Sequence, residues 1–255
     1  MTKILVIPDI QAKHGINFKY LTKLGMYMVE KQPDIVVCLG DLADMPSLSS
    51  YDVGKKSFEG RRYTKDIEAA HQAQTALFLP LAEYQASQRE QKKKQYSPRT
   101  IMCMGNHENR INKAINNDPK LEGLISCDDL GYGEWWDEIY DFLDTVVVEG
   151  IAFSHYFVTG VAGRPASTAS AQMRKTNMSS IAGHQQGLQF STASRADGAR
   201  LTSVITGSCY QHSEDYLGPQ GNNHFRGFLM LHDVKDGQFD LMSVSLSYLD
   251  KKYGN

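Results

Sequence analysis

The sequence lacks the long apolar segments and cysteine motifs that mark membrane, secreted and small zinc-binding proteins. No apolar run approaches the ~20 residues that a membrane helix needs, and the run that follows Lys3 is too short for the core of a signal peptide. The four cysteines are widely spaced and form no CxxC pair, so neither a disulfide framework nor a structural zinc site is indicated. We therefore expect a cytoplasmic protein in a reducing compartment, with no membrane partner.

The chain also lacks an excess of charge of either sign. Its 27 lysines and arginines nearly balance its 29 aspartates and glutamates, which leaves a net charge of -2 and no overall basic surface for nucleic acid. The basic run at 92–94 is interpreted as the solvated end of a helix, with a nucleic-acid patch as the alternative. With 41% hydrophobic and 22% charged residues, the chain is predicted to fold as one domain over residues 1–255.

Three short apolar runs are each followed directly by polar residues. The runs are Lys3–Pro8, Asp34–Leu39 and Thr100–Met104, and their β-branched content predicts buried parallel strands. Apolar residues at helical spacing over Phe18–Lys31 predict a helix between the first two strands. Because the carboxyl ends of parallel strands meet at one edge of a sheet, the polar residues after these runs should lie together.

Two segments are predicted to be insertions. Residues 57–95 are rich in Ala, Gln, Glu and Lys, which favours a long helix. Residues 121–144 are predicted to form an irregular or short helical insertion over the site that these polar residues would form. This second segment contains Trp135 and Trp136, which we interpret as core or lid packing, with base stacking as the alternative.

The pattern from residue 145 onward favours short strands. Turn signals at Glu149-Gly150 and Asp236-Gly237 predict two hairpins. The predicted strands are Thr145–Val148, Ile151–Ser154, Ser180–Ala182, Thr202–Thr206, Phe225–His232 and Phe239–Ser245.

Seven polar residues that closely follow apolar runs are candidate metal ligands. Their carboxylate, amide and imidazole groups form a mixed oxygen and nitrogen set, which suits Mn²⁺, Fe, Zn²⁺ or Mg²⁺ better than a thiolate metal. Taken singly, such residues would more often cap turns and helix ends. The seven are Asp9, Gln11, Asp41, Asn106, His155, His184 and Gln186.

These residues occur in five ordered blocks that resemble the motifs of the calcineurin-like metallophosphoesterases. The family pattern is D-x-H, GDxxD, GNH[DE], H and GHxH. The matching blocks span residues 9 to 186, and the order of the set is more specific than any single block. The resemblance implies an α/β fold, a four-layer αββα sandwich of two mixed β-sheets flanked by helices. The blocks are Asp9-x-Gln11, Gly40-Asp41-x-x-Asp44, Gly105-Asn106-His107-Glu108, His155 and Gly183-His184-x-Gln186.

The resemblance also implies a ligand set for two divalent ions. Asp41 would bridge the ions, which would lie ~3.5–4 Å apart and supply a bridging hydroxide as the nucleophile. The remaining ligands divide between the two ions, with Asp9, Gln11 and Gln186 at the first and Asn106, His155 and His184 at the second.

Three further residues receive catalytic or substrate-binding roles. His107 occupies the family position for protonating the leaving group, and Asp44 resembles the carboxylate that orients this imidazole. Arg110 lies three residues beyond His107 and is a candidate contact for the substrate phosphate. A structural hydrogen bond is the alternative role for His107, and capping of the following segment is the alternative for Asp44.

Gln11 and Gln186 stand where the family usually carries histidine. The loss of two imidazoles from the first site predicts a preference for Mn²⁺ or Mg²⁺, or a labile first ion. Either glutamine could bind the ion directly or only support a ligand. Similar glutamine-bearing motifs occur in phage-encoded members, so the chain resembles a phage protein that would act in the host cytoplasm.

Three functions remain open from the sequence. The first is a phosphodiesterase acting on nucleic acid or a nucleotide. The second is a phosphomonoesterase like the Ser/Thr protein phosphatases, which place Arg-Gly after the second aspartate of GDxxD, whereas Met45-Pro46 follows Asp44 here. Without that arginine a dianionic monoester loses a charge-assisted contact. The third is a non-catalytic scaffold, against which the intact pair of His107 and Asp44 argues.

Overall fold

The computed structural model describes residues 1–214 and 217–254, with strands and helices in the following order. The strands are β1 (Thr2–Ile7), β2 (Ile35–Cys38), β3 (Arg99–Cys103), β4 (Glu138–Tyr140), β5 (Val146–Val148), β6 (Ile151–Ser154), β7 (Val158–Thr159), β8 (Arg164–Pro165), β9 (Ser180–Ala182), β10 (Leu188–Ser194), β11 (Arg200–Thr206), β12 (Gly227–Lys235) and β13 (Gln238–Ser245). The helices are α1 (Lys19–Lys31), α2 (Tyr63–Glu90), α3 (Arg110–Asn117), α4 (Ala169–Thr176), α5 (Gly218–Gly221) and α6 (Leu246–Tyr253).

Two mixed sheets organise these strands. The first has the order β13-β12-β1-β2-β3-β4, in which β1 to β4 are parallel and β12 and β13 are antiparallel. The second has the order β10-β11-β9-β6-β5, with β9 parallel to both of its neighbours. A separate ribbon is formed by β7 and β8. Parallel strands at the centre of both sheets direct their carboxyl ends toward one site.

Alternation along the central strands divides the interior into layers. In β1, Leu5 and Ile7 pack with the helices, whereas Ile4 and Val6 pack against the second sheet. Both faces are buried, which explains why the strand is a continuous apolar run. Helices α1, α2 and α6 lie on the outer face of the first sheet, and α4 packs on the second. The predicted αββα sandwich of two mixed sheets is confirmed.

Most of the predicted elements are present with shifted ends. The strands predicted from the three N-terminal runs, and both predicted hairpins, are confirmed. The long helix predicted within 57–95 is α2, which packs along α1. The elements that were not predicted include α4, the polar edge strand β10, and β4, which pairs with β3 within the segment predicted to be an irregular or short helical insertion. Their formation depends on tertiary pairing, since their own sequences are weakly apolar.

The two tryptophans of that segment pack against helix α2. The ring of Trp135 stacks on Phe78 with a centroid distance of 5.4 Å, and the buried Trp136 meets the same phenylalanine edge to face at 5.0 Å. This is the predicted core packing, and it leaves the base-stacking alternative without support. Over residues 1–214 and 217–254, no helix is long and apolar enough to cross a membrane.

Helices α1 and α2 cross closely at Gly25. A methyl group at this position would overlap the main-chain oxygen of Leu77 and lie 3.0 Å from the ring of Pro80. Because the oxygen belongs to the backbone of a packed helix, it cannot move aside cheaply. The missing side chain therefore sets the distance between the two helices that cover the first sheet.

We predict that Gly25→Ala destabilises the protein by about 1–2 kcal/mol. Better helix propensity contributes about 1 kcal/mol of stability, but forced separation of the helices costs about 2–3 kcal/mol, because the overlap is with backbone. The measurement is urea unfolding followed by circular dichroism. Gly133→Ala is the matched control, since no atom lies within 4 Å of its added methyl. Equal or greater stability for Gly25→Ala would contradict the close crossing.

Candidate active site

The candidate ligands meet where strands of both sheets end. Asp9, Asp41 and Asn106 follow β1, β2 and β3 of the first sheet, while His155 and His184 follow β6 and β9 of the second. The amide of His184 donates to Asp9 Oδ1 at 3.0 Å, which joins the two sheets across the site. The structure thus brings together residues that are far apart in sequence.

Asp41, His155 and His184 form the most compact group. One potential ligand atom from each lies within 4.8 Å of the others. His155 Nε2 is 3.5 Å from Asp41 Oδ2 and 2.9 Å from the side-chain oxygen of Asn106. These four side chains supply the carboxylate, imidazole and amide donors that divalent transition metals accept.

Both imidazoles are suited to bind a cation as neutral ligands. Burial lowers the pKa of His155 to about 4, and burial together with the nearby His155 lowers the pKa of His184 to about 4. His155 Nδ1 donates to the carbonyl of Leu39 at 2.7 Å. Because a carbonyl can only accept, this bond fixes the tautomer and leaves the lone pair of Nε2 directed into the site.

The strongest indication of a bound cation comes from Asp9 and Gln11. Asp9 Oδ2 and Gln11 Oε1 are buried, and neither has a hydrogen-bond partner within residues 1–214 and 217–254. Burial first, and then repulsion by Asp41, raise the pKa of Asp9 well above its usual range. Buried oxygens without partners are costly, and a divalent cation would satisfy both of them. The residues present therefore fit a metal ion.

Gln186, the last of the predicted ligands, lies two residues after His184 and is partly exposed. Its side-chain oxygen accepts a hydrogen bond from the Tyr210 hydroxyl at 2.7 Å. The Tyr210 hydroxyl thus orients this amide. A role as direct ligand or as support stays a prediction.

Three of the predicted ligands adopt a left-handed backbone. The φ angles are 48° for Gln11, 49° for Asp41 and 64° for His184. Such conformations are unfavourable for residues other than glycine and cluster at functional sites, where surrounding structure enforces them. The sharp turns direct the side chains of these residues back toward the strand ends.

His107 and Asp44 form the predicted dyad. His107 Nδ1 is 2.8 Å from Asp44 Oδ1, and its Nε2 is 3.7 Å from Asp41 Oδ2. Burial lowers the pKa of His107, but Asp41 and Asp44 outweigh this effect and raise it to about 9. Burial likewise opposes ionisation of Asp44, yet His107 and Lys13 hold its pKa below its usual range. The pair favours a charged imidazole that can donate a proton.

Arg110 lies beside this dyad, and its guanidinium contacts two carbonyls and the His107 ring. Nη1 donates to the carbonyls of Asp44 at 2.8 Å and Met45 at 3.3 Å, and Nη2 is 3.0 Å from His107 Nε2. Arginine therefore fixes the loop that carries Asp44 and opposes protonation of His107. The predicted contact between Arg110 and a substrate phosphate stays a prediction.

An ion-pair chain that sequence reasoning missed extends from the dyad. Lys13 Nζ is 2.6 Å from Glu214 Oε1 and 3.8 Å from Asp44 Oδ2. His212 Nε2 is 2.7 Å from the same Glu214 oxygen. No motif marks Lys13 or Glu214, because these two residues are separated by 201 positions in the sequence. These ion pairs connect Asp44 to the segment that follows β11.

Glu108, the last residue of the Gly105–Glu108 motif, received no predicted role, but its buried carboxylate holds the strand ends together. It accepts from the amides of Asp41 at 3.0 Å, Ala43 at 3.0 Å and Gly105 at 2.8 Å, and from the Tyr132 hydroxyl at 2.8 Å. Gly105 must lack a side chain, since an added methyl would overlap the Asp41 carboxylate. These bonds fix the loops after β2 and β3.

The sequence match to a known family agrees with this geometry. The profile of the calcineurin-like phosphoesterases matches residues 2–185, which covers all the elements from β1 to β9. The chain therefore belongs to the calcineurin-like phosphoesterase family, and this membership implies metal-dependent phosphoester hydrolysis.

Solved structures to which this chain is similar include one from Entamoeba histolytica and one from E. coli. Vps29 of Entamoeba histolytica in complex with Zn²⁺ is 14% identical, with 96% of this chain and 99% of that chain covered and a TM-score of 0.39. The phosphoesterase YfcE of E. coli is 13% identical, with 96% and 100% covered and a TM-score of 0.36. Scores this low carry no argument about the site. No curated protein matches the sequence.

We predict that Glu108→Gln lowers the free energy of unfolding by about 2–4 kcal/mol, because the amide group turns a donor toward donors. Tyr132→Phe is the matched control, which removes one of the four bonds and should cost about 1–2 kcal/mol. Urea unfolding with a chelator present measures both without a contribution from metal. A loss below about 1 kcal/mol for Glu108→Gln would contradict the role assigned to this carboxylate.

Proposed function

We propose that the protein is a dinuclear metal-dependent phosphodiesterase that acts on nucleic-acid or nucleotide substrates. The observation that carries this proposal is the pair of oxygens of Asp9 and Gln11 that have no hydrogen-bond partner among the described residues. Asp9 accepts from the His184 amide and the Gln11 amide donates to the Asp41 carbonyl, so both residues lie beside the group of Asp41, His155 and His184. Two neighbouring sets of donors that share Asp41 suit two ions better than one. The cytoplasmic location and the likeness to phage proteins stay predictions from the sequence.

The chain's donors divide naturally into two sets. Asp9, Gln11 and Gln186 would hold the first ion, and Asn106, His155 and His184 the second, with Asp41 between them. When bound, two such ions lower the pKa of a water held between them and neutralise charge on the phosphoryl oxygens. Four of these residues, Asp9, Gln11, Asp41 and His155, are buried, which excludes bulk water from them and strengthens their electrostatic contacts.

His107 is proposed to protonate the oxygen of the leaving group. Its Nδ1 faces Asp44, so the ring is oriented and Nε2 is the atom that would transfer the proton. Lys13 and Arg110 in turn hold Asp44 through charge and through its backbone carbonyl. This arrangement gives the proton donor a fixed position without committing a metal ligand to the task.

The charges around the site favour a diester over a monoester. The guanidinium of Arg110 is engaged by two carbonyls and the ammonium of Lys13 by Glu214. Neither cation is therefore preorganised to bind the extra negative charge of a phosphomonoester. A singly charged diester requires less compensation beyond the ions themselves.

We predict that His107→Ala loses activity according to the leaving group. Hydrolysis of thymidylyl-thymidine releases a basic alkoxide and should fall about 10²- to 10⁴-fold. Hydrolysis of bis-p-nitrophenyl phosphate releases a weakly basic phenolate and should fall far less. Steady-state rates on both substrates measure the difference, with His71→Ala on helix α2 as the control. An equal loss on both substrates would exclude His107 as the proton donor.

We predict that Mn²⁺ or Mg²⁺ supports higher activity than Zn²⁺, because Gln11 and Gln186 offer amide oxygens in place of imidazoles. Gln11→His should shift the preference toward Zn²⁺ and tighten its retention. The assay strips the protein with chelator, restores each metal, and measures both rate and bound metal by elemental analysis. Best activity of the unmodified protein with tightly held zinc in both sites would refute the inference.

A further inference from the structure

Two aromatic side chains stand beside the imidazoles of the metal centre. The ring of Tyr156 lies 4.8 Å from His184 and 5.7 Å from His155, measured between centroids. Phe142 meets Tyr156 edge to face at 5.6 Å and lies 6.1 Å from His155. We call Phe142 and Tyr156 the aromatic shelf. It borders the side of the site where the second ion is proposed.

The shelf is assembled from both sheets by local backbone constraints. Tyr156 directly follows His155 at the end of β6, so its position is fixed by the same strand as a candidate ligand. Phe142 sits in a turn between β4 and β5, closed by the bond from the Asp144 amide to the Asp141 carbonyl at 2.9 Å. Leu143 in this turn has a φ of 73°, an unfavourable conformation for a residue with a branched side chain.

Fold stability alone does not account for the shelf. Both rings are partly exposed, unlike the buried aromatic residues of the core such as Tyr20 and Tyr27. The Tyr156 hydroxyl makes no hydrogen bond to the described residues, and His155 is already oriented by Leu39. The result is apolar, flat surface left partly open next to a strongly polar site, and a ligand with an aromatic ring would cover it.

We propose that the aromatic shelf is a subsite that stacks a nucleobase of the substrate, so that the enzyme acts on nucleotide diesters. The proposal rests on the phosphodiesterase function proposed above and adds the class of substrate group beside the phosphate. Stacking on aromatic rings uses the face that every base possesses. The shelf therefore predicts selection for a base without selection among bases.

The test compares two ligands that share a phosphate and a sugar and differ in the base. Thymidine 5′-monophosphate and 2-deoxyribose 5-phosphate are titrated into the Mn²⁺-loaded protein, and binding is followed by calorimetry. The unmodified protein should bind the nucleotide about tenfold more tightly, within the range of one stacked base. In Tyr156→Leu this ratio should fall close to one, whereas Tyr156→Phe should retain it because the ring is kept.

Phe142→Leu should reduce the ratio in part, and Phe190→Leu should leave it unchanged, since Phe190 is 68% exposed on the edge strand β10. Thermal melting verifies that each variant is folded. A ratio near one in the unmodified protein, or a full ratio in folded Tyr156→Leu, overturns the shelf. If bis-p-nitrophenyl phosphate is still hydrolysed in that case, the phosphodiesterase function stands. If neither ligand binds and no diester is hydrolysed, the proposed function itself fails, and the shelf with it.

Discussion

The buried carboxylate of Glu108 is the interaction on which the geometry of the site depends. Its oxygens accept hydrogen bonds from three backbone amides in the loops after β2 and β3 and from the Tyr132 hydroxyl. A buried charge is tolerated only when such bonds satisfy it, and in return it holds the contributing groups in one arrangement. Asp41, Asn106 and His107 all lie in or beside these loops. Their separation is therefore set before any ion or substrate binds.

The buried oxygens of the site favour a bound cation. Burial first, and then repulsion by Asp41, raise the pKa of Asp9, while the low pKa values of His155 and His184 favour neutral imidazoles. Among the described residues, the oxygens of Asp9 and Gln11 that lack partners favour bound cations, which the calcineurin-like phosphoesterases use for their chemistry. The pair of His107 and Asp44 lies outside this ligand set, and the charge of Asp44 is compensated by His107 and Lys13. Binding of metal and donation of a proton are thus assigned to separate groups.

The central fold and the meeting of several candidate ligands at the strand ends could be predicted because their signals are local. Strands β1 to β3 are buried on both faces, which leaves continuous apolar runs in the sequence, and each is followed by a family motif. Strand β10 is a polar edge, and β4 is a three-residue strand paired only with β3, so neither has a pattern of its own. The pairing of Lys13 with Glu214 and the shelf of Phe142 and Tyr156 arise from residues that meet only in the folded chain. Such contacts leave no periodicity or spacing to detect.

The account depends most on two cations held between the strand ends of the two sheets. Anomalous diffraction from crystals grown with Mn²⁺ tests it directly, since it locates each manganese without reference to activity. We expect two peaks ~3.5–4 Å apart, one beside Asp9 and Gln11 and the other beside Asn106, His155 and His184, with Asp41 contacting both. A single peak, or peaks away from these side chains, would contradict the account.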